Sequence, residues 1–120
     1  MDLQNITLIS FGYFEEDFLK KIADAVNHEL VLPVIIKERH IDITEFYDPV
    51  RRQYNGNRLL KEIDLLFAHD SHKTIGLFNV DLFIPILTYI FGQAFLSGRS
   101  GIASLYRLSN ERYGINPDDN

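Results

Sequence analysis

Histidine and aspartate residues that could bind a metal ion lie close together in one short segment. His69, Asp70 and His72 offer two imidazoles and a carboxylate, which are ligands that zinc accepts. A loop gives such ligands neither a rigid frame nor partners that orient them, so a solvated loop also accounts for this segment. The other histidines, His28 and His40, stand alone in the sequence. We therefore assign no metal ligands, and a small metal-binding module using His69 and His72 remains an alternative hypothesis.

Serine and aspartate residues show no catalytic arrangement in the sequence. Ser104 and Ser109 lack the G-x-S-x-G turn that exposes a serine nucleophile. Asp81 follows a predicted strand at its carboxyl end, where open α/β sheets build their sites. An aspartate there can also bond backbone amides and fix the loop that precedes Pro85. We predict this structural role for Asp81 and assign no catalytic residue.

Phosphate-binding and nucleic-acid-binding patterns are absent from the sequence. One glycine, Gly12, follows the first predicted strand, and no G-x-x-x-x-G-K-[ST] motif occurs. The net charge of -5 and the lack of a Lys/Arg cluster argue against nucleic acid and anionic membranes as partners. The apolar residues 80–96 are interrupted by Asp81, Pro85 and Gly92, so we predict no membrane span.

The composition is typical of a single intracellular domain. Hydrophobic residues make up 46% of the 120 residues and charged residues 24%, which suits one modest core. The absence of cysteine excludes disulfides and thiolate metal sites, and it fits the cytosol. The first residues lack the basic and apolar regions of a signal peptide. We expect a cytoplasmic protein with one domain over residues 1–120.

Alternating strands and helices must position any site in this chain. Short apolar or β-branched runs predict three strands, at residues 6–11, 34–36 and 74–79. Apolar residues at helical spacing predict a helix that ends before Pro33 and a second helix capped by Asn57. Residues 39–57 are polar and predict a loop.

A hairpin completes the predicted sheet. Residues 89–96 and 101–108 are strand-like, and residues 97–100 between them have hairpin turn chemistry. The predicted fold is therefore α/β, with a mixed, mainly parallel twisted sheet of about five strands, two helices and a C-terminal antiparallel hairpin.

The last residues carry a helix start signal. Asn116 can cap a helix, Pro117 suits its first position, and Asp118 and Asp119 suit its first turn. A frayed acidic tail and a helix that continues beyond Asn120 in a longer protein both fit this segment.

Three colinear stretches of the chain carry a resemblance to a known family. They are YDP, RQY and LL at residues 47–49, 52–54 and 59–60, VDLFIP with YIFGQA at residues 80–85 and 89–94, and ASLYRL with YG at residues 103–108 and 113–114. In this order they resemble archaemetzincins, which are metzincin-like zinc peptidases. The first forty residues match mainly in their order of elements.

The resemblance implies a peptidase with motifs that these residues lack. Such enzymes have a helix with H-E-x-x-H-x-x-G-x-x-H, in which histidines hold zinc and the glutamate is the general base, and a cysteine-rich second zinc site. The 120 residues contain neither motif. We interpret the chain as the truncated N-terminal part of such a protein. We expect zinc in the complete protein, no cofactor in this chain, and no catalysis by the chain alone.

The antiparallel edge strand is the functional feature that the resemblance implies for this chain. In metzincin-like folds it pairs with an extended peptide substrate, and here it would be residues 89–96. An exposed edge offers unpaired backbone N–H and C=O groups. We predict peptide contacts through the backbone of Gly92, Gln93, Ala94 and Phe95. A capped edge, or one paired with another copy, is the alternative.

A second class of function remains open. The chain could be a non-enzymatic binding or assembly domain that keeps the scaffold without the zinc site. Without an active-site helix, an apolar sheet face would be uncovered, and large exposed patches usually become interfaces. We expect self-association through this face under either hypothesis.

Overall fold

The part of the chain that the structure describes contains two sheets and two helices. The structure is a computed structural model that describes residues 5–67, 73–94 and 99–107. In chain order its elements are β1 (Ile6–Phe11), α1 (Glu16–Leu30), β2 (Val34–Arg39), a 3-10 turn (Thr44–Phe46), β3 (Tyr47–Asp48), β4 (Gln53–Asn55), α2 (Gly56–Phe67), β5 (Lys73–Phe78), β6 (Leu82–Ile84), β7 (Leu87–Ile90), β8 (Gly92–Ala94) and β9 (Ser100–Ser104). Neither helix is long and apolar enough to cross a membrane.

The larger sheet has the order β2-β1-β5-β9-β8. Its first four strands are parallel, and β8 runs antiparallel to β9. This arrangement confirms the predicted mixed, mainly parallel five-stranded sheet with an antiparallel hairpin at its end.

Each face of this sheet is covered by one helix. On one face, Ala23 of α1 packs in a cluster with Leu8 and Leu77. On the other face, Leu59 and Ile63 of α2 belong to the largest buried cluster. Because β1 has a helix on both sides, all of its residues are buried, as expected for a central parallel strand.

The helix ends follow local sequence signals. α1 ends at Leu30, and Val31 takes a left-handed conformation with φ 54°, short of Pro33, where a helix is disfavoured. The cap of α2 differs from the prediction. Asn57 lies inside the helix, and the Oδ1 of Asn55 accepts a hydrogen bond from the Arg58 N–H at 3.2 Å. Asn55 is therefore the capping residue, two positions earlier than predicted.

The smaller sheet, β3-β4-β6-β7, occupies segments for which the sequence predicts loops and part of one strand. Its strands have two to four residues, too few to show a periodic pattern. Arg51 stabilises it by donating to the carbonyl oxygens of Leu87 at 3.0 Å and Pro85 at 3.1 Å. The guanidinium of Arg51 also lies 4.3 Å from the centre of the Phe83 ring. The predicted loop over residues 39–57 therefore contains a turn after Asp48, flanked by the short strands β3 and β4, which the sequence does not predict.

The strand predicted at residues 89–96 is divided between the two sheets. β7 pairs with β6 in the smaller sheet, and β8 pairs with β9 in the larger one. The chain passes between the sheets at Phe91, whose carbonyl oxygen accepts a hydrogen bond from the Ser104 N–H at 2.7 Å. A continuous apolar run does not reveal such a change of partner.

The last strand is shorter than predicted. It ends at Ser104, whereas the sequence predicts a strand over residues 101–108. The Ser104 hydroxyl donates to the carbonyl oxygen of Val80 and accepts from the Tyr106 N–H at 3.2 Å. This local side-chain bond turns the chain out of the ladder.

Candidate functional site

The edge strand β8 is positioned by its antiparallel ladder with β9. The ladder runs from Gly92 opposite Ala103 to Ala94 opposite Gly101, with Gln93 between. On its other side β8 has no neighbouring strand among the residues that the structure describes. Three of the four residues predicted to contact a peptide therefore lie on an open sheet edge. Phe95, the fourth, is outside the described residues.

Gly92 allows β8 to approach β9 closely. A Cβ atom at this position would lie 2.7 Å from the carbonyl oxygen of Ile102 and 3.4 Å from the Cα of Ala103. The first distance is shorter than any normal contact, so a side chain here would push the two strands apart. The spacing of the hairpin therefore depends on this glycine.

Aromatic side chains lie where the chain enters β8. Phe91, which directly precedes the strand, is 40% exposed. Its ring contacts Tyr89 edge to face, with 5.4 Å between the ring centres. The guanidinium of Arg107 lies 4.0 Å from the centre of the Tyr89 ring. This arrangement leaves the side chain of Phe91 partly exposed beside the open edge.

Asp81 lies in a polar network that ties the smaller sheet to the end of β9. Its two carboxylate oxygens accept from the Nε of Arg107 at 2.7 Å and from the Nη2 at 2.8 Å. Gln53 donates to the same carboxylate at 3.1 Å and to the carbonyl oxygen of Thr88 at 2.8 Å. The Asp81 carbonyl oxygen accepts from the Tyr54 N–H at 2.8 Å.

This network gives Asp81 the structural role that the sequence predicts, through partners that the sequence does not reveal. The predicted partners were backbone amides, whereas the carboxylate is bonded by side chains 26 and 28 positions away. The side chain of Asp81 is only 14% exposed, and both oxygens are engaged. The carboxylate therefore stabilises the contact between the smaller sheet and the segment after β9.

The described residues do not fit a zinc ion. Within 5–67, 73–94 and 99–107, no three His, Cys, Asp or Glu side chains are close enough to hold a metal. His28 and His40 are exposed, the first on α1 and the second directly after β2. His69, Asp70 and His72 lie outside the described residues, as does the predicted helix start at 116–119. We derive no zinc-dependent step for this chain.

Comparison with curated proteins finds archaemetzincins. The archaemetzincin of Thermococcus kodakarensis is 27% identical over 120 residues, which is 95% of this chain and 64% of that protein. The archaemetzincin of Methanocaldococcus jannaschii is 33% identical over 79 residues, covering 65% of this chain and 42% of that protein. The chain thus spans from 42% to 64% of the length of these two relatives. No protein-family model matches the chain.

Solved structures give the same result. A zinc-dependent peptidase from Methanocorpusculum labreanum superposes with a TM-score of 0.77 at 24% identity, covering 92% of this chain and 69% of that one. An archaemetzincin from Methanopyrus kandleri superposes with a TM-score of 0.74 at 25% identity, covering 98% of this chain and 63% of that one. The resemblance to archaemetzincins and the mixed α/β fold are therefore confirmed, over part of the relatives' length.

Proposed function

We propose that this chain is the N-terminal, sheet-bearing part of a cytoplasmic archaemetzincin-like zinc peptidase, and that the complete protein hydrolyses peptide bonds. Similarity to archaemetzincins over 95% of the chain supports the family. The observation that carries the role of this part is the open edge of β8, the antiparallel strand of the larger sheet.

The role of the chain in this proposal is to hold the substrate. An extended peptide adds to the edge as a further strand, with backbone hydrogen bonds to Gly92, Gln93, Ala94 and Phe95. Such bonds give affinity with little dependence on the peptide sequence, because every peptide unit offers the same groups. The exposed ring of Phe91 adds an apolar contact at one end of this strand.

Catalysis requires residues that these 120 do not contain. They have no H-E-x-x-H motif and no cysteine. In the complete protein, zinc would supply an activated water for attack on the peptide carbonyl. We therefore expect the isolated chain to bind peptide without hydrolysing it.

Strand addition can be tested on the isolated chain with two matched peptides. One is an extended hexapeptide of Thr and Val, and the other is the same peptide with alternate backbone nitrogens methylated. Titration of the 15N-labelled chain followed by NMR should shift the amide signals of residues 92–94. The N-methylated peptide, which lacks the donors on one edge, should bind about tenfold more weakly, as expected for the loss of one or two net hydrogen bonds. Equal binding of both peptides, or shifts confined to other strands, would refute strand addition at β8.

The catalytic part of the proposal has its own test. The isolated chain with added zinc should not cleave a fluorogenic peptide, whereas a protein in which the same chain precedes an H-E-x-x-H helix should do so. Zinc-dependent cleavage by the isolated chain, abolished by a chelator, would show that its predicted inactivity is wrong.

A second candidate function is a non-enzymatic binding or assembly domain. It is favoured by β9, whose residues Gly101 and Ala103 are only half buried on the face that carries α1. The coding sequence downstream of the Asn120 codon separates the two candidates. An in-frame H-E-x-x-H-x-x-G-x-x-H supports the peptidase, and a stop codon without that motif supports the binding domain.

A further inference from the structure

The strand order creates a switch point between β1 and β5. From β1 the chain passes through α1 to β2 on one side, and it later passes through α2 to β5 on the other side of β1. The two helices accordingly lie on opposite faces of the sheet. At such a point the connections diverge and a crevice opens at the carboxyl ends of the strands, where open α/β sheets commonly bind ligands.

A cavity of about 270 Å³ lies in this crevice. Its walls come from the carboxyl ends of β1, β2 and β5 and from the segment after β2, and include Phe11, Arg39, His40, Ile43, Phe78 and Val80. β8 lies at the far edge of the sheet, with β5 and β9 between it and β1. The cavity is therefore separate from the edge proposed to hold a peptide, and its occupant does not depend on that proposal.

The floor of the cavity is apolar and closely packed. Phe11 and Phe78 stack with 4.8 Å between ring centres and 10° between ring planes. Both side chains are more than 90% buried. Gly76 lies against the two rings, where a Cβ atom would come within 3.1 Å of Phe11 and 3.2 Å of Phe78. The glycine thus lets both rings lie flat on the sheet.

One cationic side chain, that of Arg39, lies at the rim of the cavity, in a chain whose net charge is -5. Arg39 and His40 are exposed at the end of β2. Arg39 donates from Nη1 to the carbonyl oxygen of Glu38 at 2.7 Å, a bond to a neutral group. The carboxylate of Asp42, three positions after Arg39 in the chain, is not among the residues that line the cavity, and its Oδ1 accepts from the hydroxyl of Thr44 at 2.5 Å and from its N–H at 2.9 Å, which lowers the pKa of Asp42. None of the salt bridges in the described residues involves Arg39.

We propose that this crevice binds a small carboxylate with an apolar body. The apolar body lies on the stacked rings of Phe11 and Phe78, and the carboxylate lies at Arg39 and His40. An apolar pocket with a few polar groups at its mouth is the usual form of a small-molecule site. The planar guanidinium matches a carboxylate, with which it can form two parallel hydrogen bonds.

Hexanoate is a suitable probe, with hexanol as the uncharged match and acetate as the match without an apolar body. Amide NMR signals of the 15N-labelled chain should shift at residues 11–12, 39–43 and 78–80 as hexanoate is added. The dissociation constant should be on the order of millimolar for so small a ligand. Hexanol and acetate should each bind at least fivefold more weakly. Shifts spread over the surface, or equal effects of hexanoate and acetate, would mean that the crevice is not a carboxylate site.

Two variants localise the binding. Arg39→Gln should weaken hexanoate binding about fivefold or more. Lys61→Gln, which removes the same charge from an exposed position on α2, should leave binding unchanged. Val80→Trp should fill the crevice and abolish binding, with a circular dichroism melt to show that the fold persists. If hexanoate binds Arg39→Gln and Lys61→Gln equally well, the proposal is wrong, whatever the outcome for Val80→Trp.

Discussion

At the scale of single residues, the pair formed by Asp81 and Arg107 joins the end of β9 to the smaller sheet. The two hydrogen bonds are short, and the side chain of Asp81 is largely shielded from water. A double-mutant cycle with Asp81→Asn and Arg107→Gln should give a coupling free energy of about 1–2 kcal/mol in urea unfolding, because charge-assisted bonds between partly buried partners exceed exposed ones. The same cycle on Glu45 and Arg58, an exposed pair at 3.9 Å, should give little coupling. Equal values for the two pairs would contradict this account.

The backbone conformation of Val31 lowers the stability of the chain. It is a β-branched residue in the left-handed region, with φ 54°, and its side chain is 82% exposed. Val31→Gly should stabilise the chain by about 1 kcal/mol, because the strain of a left-handed β-branched residue exceeds the packing lost. Val50→Gly is the matched control, since Val50 is 92% exposed without a positive φ. Urea unfolding should show the control to be neutral or destabilised; stabilisation by both changes would point to side-chain exposure instead of backbone strain.

At the scale of elements, β8 depends on the absence of a side chain at Gly92. Gly92→Ala should cost about 1–3 kcal/mol, because the added methyl group would overlap the carbonyl oxygen of Ile102. Hydrogen exchange should show lost protection in β8 and β9, while β2 at the opposite edge serves as the internal control. If β8 and β2 change equally, the effect is global and the close approach is not its cause.

The elements that the sequence predicts well are those with enough residues to show a period. β1 and α1 have six and fifteen residues, and their apolar patterns place them within a residue or two of the observed bounds. The strands of the smaller sheet are held by Arg51 and by Gln53, whose partners are 28 to 36 positions away. Hydrogen bonds between residues so far apart in the chain cannot be predicted from the local spacing of apolar residues.

Some features of the candidate site are likewise predicted by the sequence, and others are not. The hairpin turn predicts that β8 is antiparallel and lies next to β9, whereas its position at the edge of the sheet is implied by the family resemblance. The role of Gly92 in spacing that hairpin, and the crevice between β1 and β5, depend on how distant strands lie beside each other. The family resemblance predicted the peptide edge, and it implied nothing about the crevice.

At the scale of the whole molecule, the two faces of the larger sheet are covered unequally. Along β9, Ser100, Ile102 and Ser104 are buried on the side of α2, where Ser100 donates to Asp64 at 2.6 Å. On the side of α1, Ala103 is half buried, and so is Ile75 of the neighbouring strand. Both side chains pack against the cluster that contains Ala23 of α1. Among the described residues, α1 therefore shields the β1 side of the sheet more fully than the β9 side, where Ile75 and Ala103 keep part of their surface exposed.

This surface should cause the 120 residues to self-associate. Sedimentation velocity over a range of concentrations should show a reversible increase in mass, driven by burial of the surface that Ile75 of β5 and Ala103 of β9 leave exposed. Ala103→Lys should weaken the association at least tenfold, because it would bury a charge in the contact. Ala25→Lys makes the same change on the exposed side of α1 and should have no effect. A chain that stays monomeric at all concentrations, or equal effects of the two changes, would show that α1 already covers this face well enough and that the unequal burial has no consequence for assembly.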